Sequence, residues 1–295
     1  MLQDKYVSRP GKTCPYGTRV FWTGAVIVVI LIIMSLLAPF ISPADPLDQN
    51  LSASLLGPGA GSYLGTDSLG RDVFSRIIYG SRISLSVGIT VLALTLVLGT
   101  ILGTAAGYFG GVIDSIIMRV ADVFMSFPPL VLALIAMAFI GPGLVNLIII
   151  LVIMRWSQFA RLVRGQVMAI RSEVYVDAAR VSGARALGII ARHILPNCMS
   201  PIIVAGTMSI GAIIIDETAL SFLGLGIQAP EPSWGVMLAD AKNYITIAPW
   251  LVIFPGLAVV ITVVGFNLLG DGLGYLLNPK QYERAGVGRG DFKGQ

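Results

Sequence analysis

Residues 21–41 read FWTGAVIVVILIIMSLLAPFI, a run without one charged side chain. A bilayer-crossing helix needs about 20 mostly apolar residues, so this run is long enough to span. A secretory signal core is only about 7–15 residues long. The run from Phe21 to Ile41 exceeds that, and Pro39 stands where cleavage would fall, so a retained helix is expected even though Lys5, Arg9, Lys12 and Arg19 precede it. Working outward, five more stretches qualify, at about 83–107, 122–140, 144–160, 200–223 and 250–270. Gly141-Pro142-Gly143 makes a tight turn between the third and fourth of the six. The reading is an all-α integral membrane protein with six transmembrane helices.

Composition agrees. Of 295 residues, 55% are hydrophobic and 12% charged, about half the charge of an ordinary soluble domain. Mean hydropathy is +0.83. These values exclude a soluble globular protein, a disordered tail and a nucleic-acid module. The two cysteines, Cys14 and Cys198, form no metal or disulfide pattern, and the single histidine, His193, cannot build a His-rich metal site. No metal ligand set and no catalytic residue is assigned.

Basic residues orient the chain. With the N-terminus inside, the inner segments carry 16 Lys and Arg and the outer segments carry 4 (Arg71, Arg76, Arg82 and Lys242). Both termini are therefore expected in the cytoplasm. The division that follows is a tail at 1–20, the first span at 21–41, an outer loop at 42–82, a core at 83–270 with an inner loop at 155–198, and a second tail at 271–295. Neither loop reaches the size of an independent domain, about 50 residues. Gly11-Lys12-Thr13 is no phosphate-binding loop, because Tyr6 occupies the position of the required earlier glycine. Work against a gradient must draw on ions or on another subunit.

The outer loop begins with Pro, Gly, Asp and Ser, which favour turns. From about 67 to 82 it is expected to be an interfacial helix capped by Asp67 or Ser68, with Leu69, Val73 and Ile77 on one stripe.

The inner loop carries seven arginines from Arg155 to Arg192. Within it a helix is expected at 173–181, capped by Ser172 and ended by Ser182-Gly183. A second short helix at 184–194 is expected to stop at Leu195-Pro196. Ala179 and Gly183, four apart, leave a face almost without side chains, and Asp177 projects beside it. Such a rigid knob suits docking of a soluble partner. Arg180, Arg185 and Arg192 read as solvated.

Asp177-Ala178-Ala179, Gly183 and Leu195-Pro196 resemble the coupling-loop motif of ABC-importer permeases, E-A-A-x-x-x-G-x9-I-x-L-P. Asp177 replaces the motif's Glu and His193 its Ile. LGTDSLGRDVFSRIIYGSRISLSVG (64–88), AGYFGGVIDSIIMRVADVFMSFP (106–128), LSFLGLG (220–226), PEPSWGVMLADA (230–241) and FPGLAVVITVVGFNLLGDGL (254–273) are similar to segments of the dipeptide, oligopeptide and nickel permease family, dipeptide-permease C type. The resemblance implies the type I ABC importer permease fold with cytoplasmic coupling helices, in a bacterial inner membrane. It implies a second homologous permease, two ATP-binding subunits that hold ATP and Mg, an extracytoplasmic binding protein, surrounding lipid, and no cofactor in this chain. Asp177, Ala178, Ala179, Gly183, Leu195 and Pro196 would then be the ATPase-coupling residues. Short peptides are the first expectation for the substrate, and nickel or another small solute is the alternative.

Asp216-Glu217 falls inside the fifth apolar stretch. A centred acidic residue costs about 2.5–3.5 kcal/mol on insertion, so it faces a partner or a wet cavity. Both are substrate-path candidates, and a buried structural hydrogen bond is the rival assignment. The pair would also suit an ion-coupled secondary carrier, a different class. That class normally shows inverted repeats, which this chain lacks.

Overall fold

The computed structural model describes residues 15–59 and 61–277. Lys5, Arg9, Lys12, Cys14, Lys280, Arg284, Arg289 and Lys293 lie outside those residues. Among the described residues the chain is helical, with one isolated bridge between Thr66 and Asp72. The main helices are α1 (Pro15–Leu36), α2 (Ala38–Ile41), α3 (Val73–Phe109), α4 (Gly111–Met125), α5 (Pro129–Ile140), α6 (Leu144–Arg171), α7 (Val174–Val181), α8 (Ala186–Ile189), α9 (Leu195–Phe222), α10 (Trp234–Ala241) and α11 (Trp250–Leu277). Lipid offers backbone N–H and C=O groups no partner, which is why the spanning segments are helical. Five helical segments are long and apolar enough to cross a membrane, and α4 with α5 makes six if that bent pair counts as one.

That pair corrects the expected third span. The 122–140 stretch is no single rod, because α4 and α5 meet at 88° around Ser126–Pro128. Pro128-Pro129 explains the break. Proline lacks the N–H that would continue the ladder, and it pushes the preceding residue out of the helical region.

The outer helix also begins elsewhere. Neither Asp67 nor Ser68 caps it. Asp72 does, accepting the Ser75 N–H at 2.8 Å, and α3 then runs unbroken through Arg82 into the second span. Asp67 instead organises the turn before it. Its carboxylate accepts from the backbone N–H of Leu69 (2.9 Å) and Arg71 (3.0 Å) and from Arg71 Nε at 2.6 Å. Arg76, almost fully buried, lies 3.5 Å from both Asp67 and Asp240. Trp250 Nε1 donates to the Thr66 carbonyl at 3.3 Å. The outer loop is thereby tied to α3, α10 and α11.

Inside hydrocarbon no hydrophobic force drives helices together, so close approach needs small residues. Gly99, Gly103 and Gly107 form one stripe of α3 against α6. A Cβ on Gly103 would lie 2.4 Å from the Ala160 carbonyl oxygen, and one on Gly99 2.6 Å from Phe159 Cβ. A second junction joins α1 to α11, where a Cβ added to Gly24 would lie 2.3 Å from the Leu269 backbone nitrogen and one on Gly272 2.3 Å from Phe21 Cα. Gly206 and Gly211 are less tightly covered: an added Cβ would lie 3.3 Å from Leu96 and 3.2 Å from Val263, respectively.

Gly103→Leu is therefore expected to destabilise the purified protein by about 1–3 kcal/mol, the usual cost of overpacking. Gly188→Ala, where an added Cβ meets nothing within 4 Å, is expected to leave thermal unfolding unchanged. Equal behaviour of the two variants would remove the α3–α6 stripe from the account.

Candidate functional site

The inner loop is shorter than expected. Helix α6 continues to Arg171, so Arg155, Arg161, Arg164 and Arg171 stand on a helix and not in a loop. Each has a partner. Arg164 forms a two-pronged pair with Asp114 of α4, at 2.5 and 2.6 Å. Arg161 pairs with Asp122 of α4. Arg171 Nη1 donates to the Gly107 carbonyl at 3.4 Å, and its guanidinium lies 5.8 Å from the Tyr108 ring centroid.

Helix α7 then forms the hairpin's first arm. Ser172 does not cap it; its hydroxyl donates back to the Ala169 carbonyl and closes α6. Glu173 supplies the cap through its backbone carbonyl, which accepts from Val176 (2.9 Å) and Asp177 (3.2 Å). Asp177 sits in the first turn, where the helix dipole favours a negative charge. Gly183 ends the arm at φ +82°, a left-handed conformation that side chains disfavour. The Ala184 N–H reaches the Ala179 carbonyl at 3.1 Å, closing the C-terminal turn.

One residue seats this arm. Val176 is fully buried among Val163, Val167, Ile189, Ile190, Ile194 and Cys198. Burying a valine is worth roughly 1.5–3 kcal/mol. The small-residue face divides as a result. Ala179 packs on that same core, while Asp177, Ala178 and Gly183 point outward. Nothing lies within 4 Å of a Cβ built on Gly183. Val174, Val181 and Leu187 stand exposed around them. Asp177 Oδ1 accepts from Arg180 Nη1 at 2.8 Å, an exposed pair that leaves the other carboxylate oxygen open.

Leu195-Pro196 does not break the second arm. Helix runs from Ala186 to Phe222, with a wide π turn at Ile190–Ile194 just before the proline. Pro196 would clash with the carbonyl four residues back in a regular helix, and widening that turn removes the conflict. Leu195 packs on the hairpin core and Pro196 is exposed. His193 lies 6.4 Å from the Tyr175 ring. Asn197 Nδ2 donates to the His193 carbonyl at 2.7 Å and to the Tyr175 hydroxyl at 3.4 Å, bridging the two arms. Tyr175, Val176 and Asn197 were not singled out from sequence. The i, i+3 spacing of Val176 and Ala179, both packed on the same core, was the available signal.

The adjacent acids of α9 part company. Asp216 accepts from Arg155 of α6, at 2.6 Å from Nη2 and 3.1 Å from Nε, and is 20% exposed. Glu217 is fully buried. Its carboxylate accepts hydroxyl hydrogens from Ser84 of α3 (3.2 Å), Ser221 (2.9 Å) and Thr218 (3.4 Å). Ser221 in turn accepts the Ile227 N–H at 3.1 Å, so Glu217 joins α3 and α9 to the outer turn. Residues one apart on a helix point about 100° apart, which gives the two acids different surroundings.

The long apolar helices, the ion pairs set among them and the projecting hairpin are those of a polytopic membrane protein. Residues 99–281 match the family described as binding-protein-dependent transport system inner membrane component, and residues 18–58 match the N-terminal TM domain of oligopeptide transport permease C. The chain belongs to the binding-protein-dependent transport permease family. It is 44% identical over 257 residues to the dipeptide transport system permease protein DppC of Alkalihalophilus pseudofirmus, covering 87% of this chain and 84% of that one. It is 40% identical to the probable D,D-dipeptide transport system permease protein DdpC of Escherichia coli K12, over 95% and 97% of the two chains. It is 44% identical to the glutathione transport system permease protein GsiD of Escherichia coli O157:H7, over 88% and 86%. An inward-facing structure of the MetNI methionine ABC transporter shares the fold, with TM-score 0.58 and 18% identity over 70% of this chain and 97% of that one.

Removing one member of a buried ion pair costs about 3–5 kcal/mol, because the other charge is left unpaired, whereas replacing both with apolar groups is often neutral. Asp216→Asn is therefore expected to lower thermal stability more than the double change Arg155→Met with Asp216→Leu. A single variant no worse than the double would show that the two side chains are not coupled.

Proposed function

We propose that the chain is one half of the translocation pathway of an ATP-driven importer for short peptides. The observation that carries this is the hairpin, a rigid two-armed projection whose outward surface is made of Asp177, Ala178, Gly183, Val174, Val181 and Leu187. Apolar side chains standing in water around small residues form a surface suited to a partner. The names of the relatives support the choice of short peptide-type solutes, since two are named for dipeptides and one for glutathione.

In this reading a second, homologous permease completes the pathway. Two separate ATP-binding subunits hold ATP and Mg, and an extracytoplasmic binding protein delivers the solute. Both termini and the hairpin lie in the cytoplasm of a cell with the pathway in its inner membrane. The chain hydrolyses nothing itself. Closure of the ATPase pair moves the hairpin. Val176 fixes α7 on a core built by α6 and the α8–α9 arm, so displacement passes to both long helices as one body. Asp177 offers its free oxygen to a donor in the docking groove. Asp216, paired to Arg155, presents a carboxylate and a guanidinium, complementary to the two charged ends of a peptide.

Gly183→Trp tests the docking step. A bulky side chain on the open surface, at a left-handed position, is expected to leave the permease inserted while the ATPase subunits no longer copurify and peptide uptake is lost. Normal copurification together with normal uptake would overturn the assignment.

A further inference from the structure

Helix α6 has two exposed faces of opposite character. Near its outer end Val145, Ile149 and Ile153 are exposed, spaced four apart on one side. In its inner half the exposed positions are Gln158, Arg161 and Gly165, spaced three and four apart, followed by Met168 and Ala169 at its inner end. At 100° per residue these two sets lie on sides of the helix roughly 150° apart. The apolar set matches exposed side chains elsewhere, such as Ile101 of α3 and Ile261 of α11, which suit lipid.

The polar set does not suit lipid. At 1.5 Å per residue, Gln158 and Arg161 lie roughly 21 and 26 Å along the helix from Leu144, within the ~30 Å thickness of a hydrocarbon core. Charged and amide side chains at such depth face a cavity or a partner and not acyl chains. The same face is flanked on both sides by ion pairs. Arg161 pairs with Asp122 of α4, with side chains 45% and 62% exposed. Arg155 pairs with Asp216 of α9, set deeper at 10% and 20%. Gly165 adds open room, since a Cβ there would meet nothing within 4 Å.

We propose that this inner half of α6, between α4 and α9, is a water-filled wall of the passage. Gln158, Arg161 and Gly165 face the water, and the Arg155–Asp216 pair marks the wall's deep end. The assignment rests on the reading of the chain as half of a pathway, and it names the surface that the passing solute meets. Glu217, turned into the chain's own interior, is not part of it.

The test is cysteine accessibility in the complete complex, in inverted membrane vesicles and without ATP. Cys14→Ser and Cys198→Ala provide the background, into which Gln158→Cys, Gly165→Cys or the lipid-side control Ile101→Cys is placed. The reagent is a cationic, membrane-impermeant methanethiosulfonate, which needs a hydrated thiolate. A thiol in apolar surroundings stays protonated, so modification at 158 and 165 is expected to be at least about ten-fold faster than at 101. Rates at 158 and 165 no faster than at 101 would overturn the proposal. The glycine site keeps the test valid if Gln158→Cys fails to assemble. In the unsubstituted complex, ATP-driven release of peptide preloaded with binding protein in the lumen of such inverted vesicles reports separately on the import reading. Lost release with retained labelling strikes that reading alone.

Discussion

The contact on which the coupling account depends is the burial of one side chain, Val176, in a pocket built by α6 and the α8–α9 arm. Without it α7 would be a solvated helix of 8 residues, far below the ~12–15 residues at which an isolated helix becomes even marginal. With it, the hairpin has a fixed pose on the ends of two long helices. The bridge from Asn197 to Tyr175 and the closed C-terminal turn at Gly183 add definition at the two ends of the same short arm. What remains exposed can then be specialised for contact, since the packing is carried by other residues.

Rigidity above the hairpin comes from close helix approach. The Gly99–Gly103–Gly107 stripe lets α3 lie directly on the α6 backbone, and the α1–α11 junction uses the same device. Ion pairs fasten what packing leaves: Asp114 with Arg164, Asp122 with Arg161, and Asp216 with Arg155. The outer end is held by Asp67, Arg71, Arg76 and Asp240. A push on α7 therefore meets helices tied to one another along their length. Helices α4 and α5 meet at a sharp bend of 88°.

Much of this was legible in the sequence, and the failures share a cause. Apolar runs long enough to span were read from length alone, because lipid enforces helix wherever chain crosses it. Boundaries were harder. Asp67 and Asp72 are both plausible caps by residue type, and only the tertiary partners Arg71 and Arg76 decide that Asp67 serves the turn and Asp72 the helix. Pro196 was read as a breaker. A wide turn absorbed it, and such a turn has no short-range signature. Arg155, Arg161 and Arg164 were read as loop charges because their carboxylate partners lie some 39 to 61 residues away in sequence. Asp216 and Glu217 are neighbours in sequence and opposite in surroundings, which only the packing of α3 and α6 reveals. The motif at Asp177–Gly183 and Leu195-Pro196 was visible from spacing; the inward turn of Ala179 was not.

Under the proposed function this chain borrows its energy through the hairpin. The most direct measurement is uptake of labelled dipeptide into liposomes that hold the permease pair with the binding protein, with and without the ATPase subunits. Accumulation against a gradient only when those subunits and ATP are both present is the expected result. Accumulation by the permease pair alone, whether driven by ions or unaided, would contradict it.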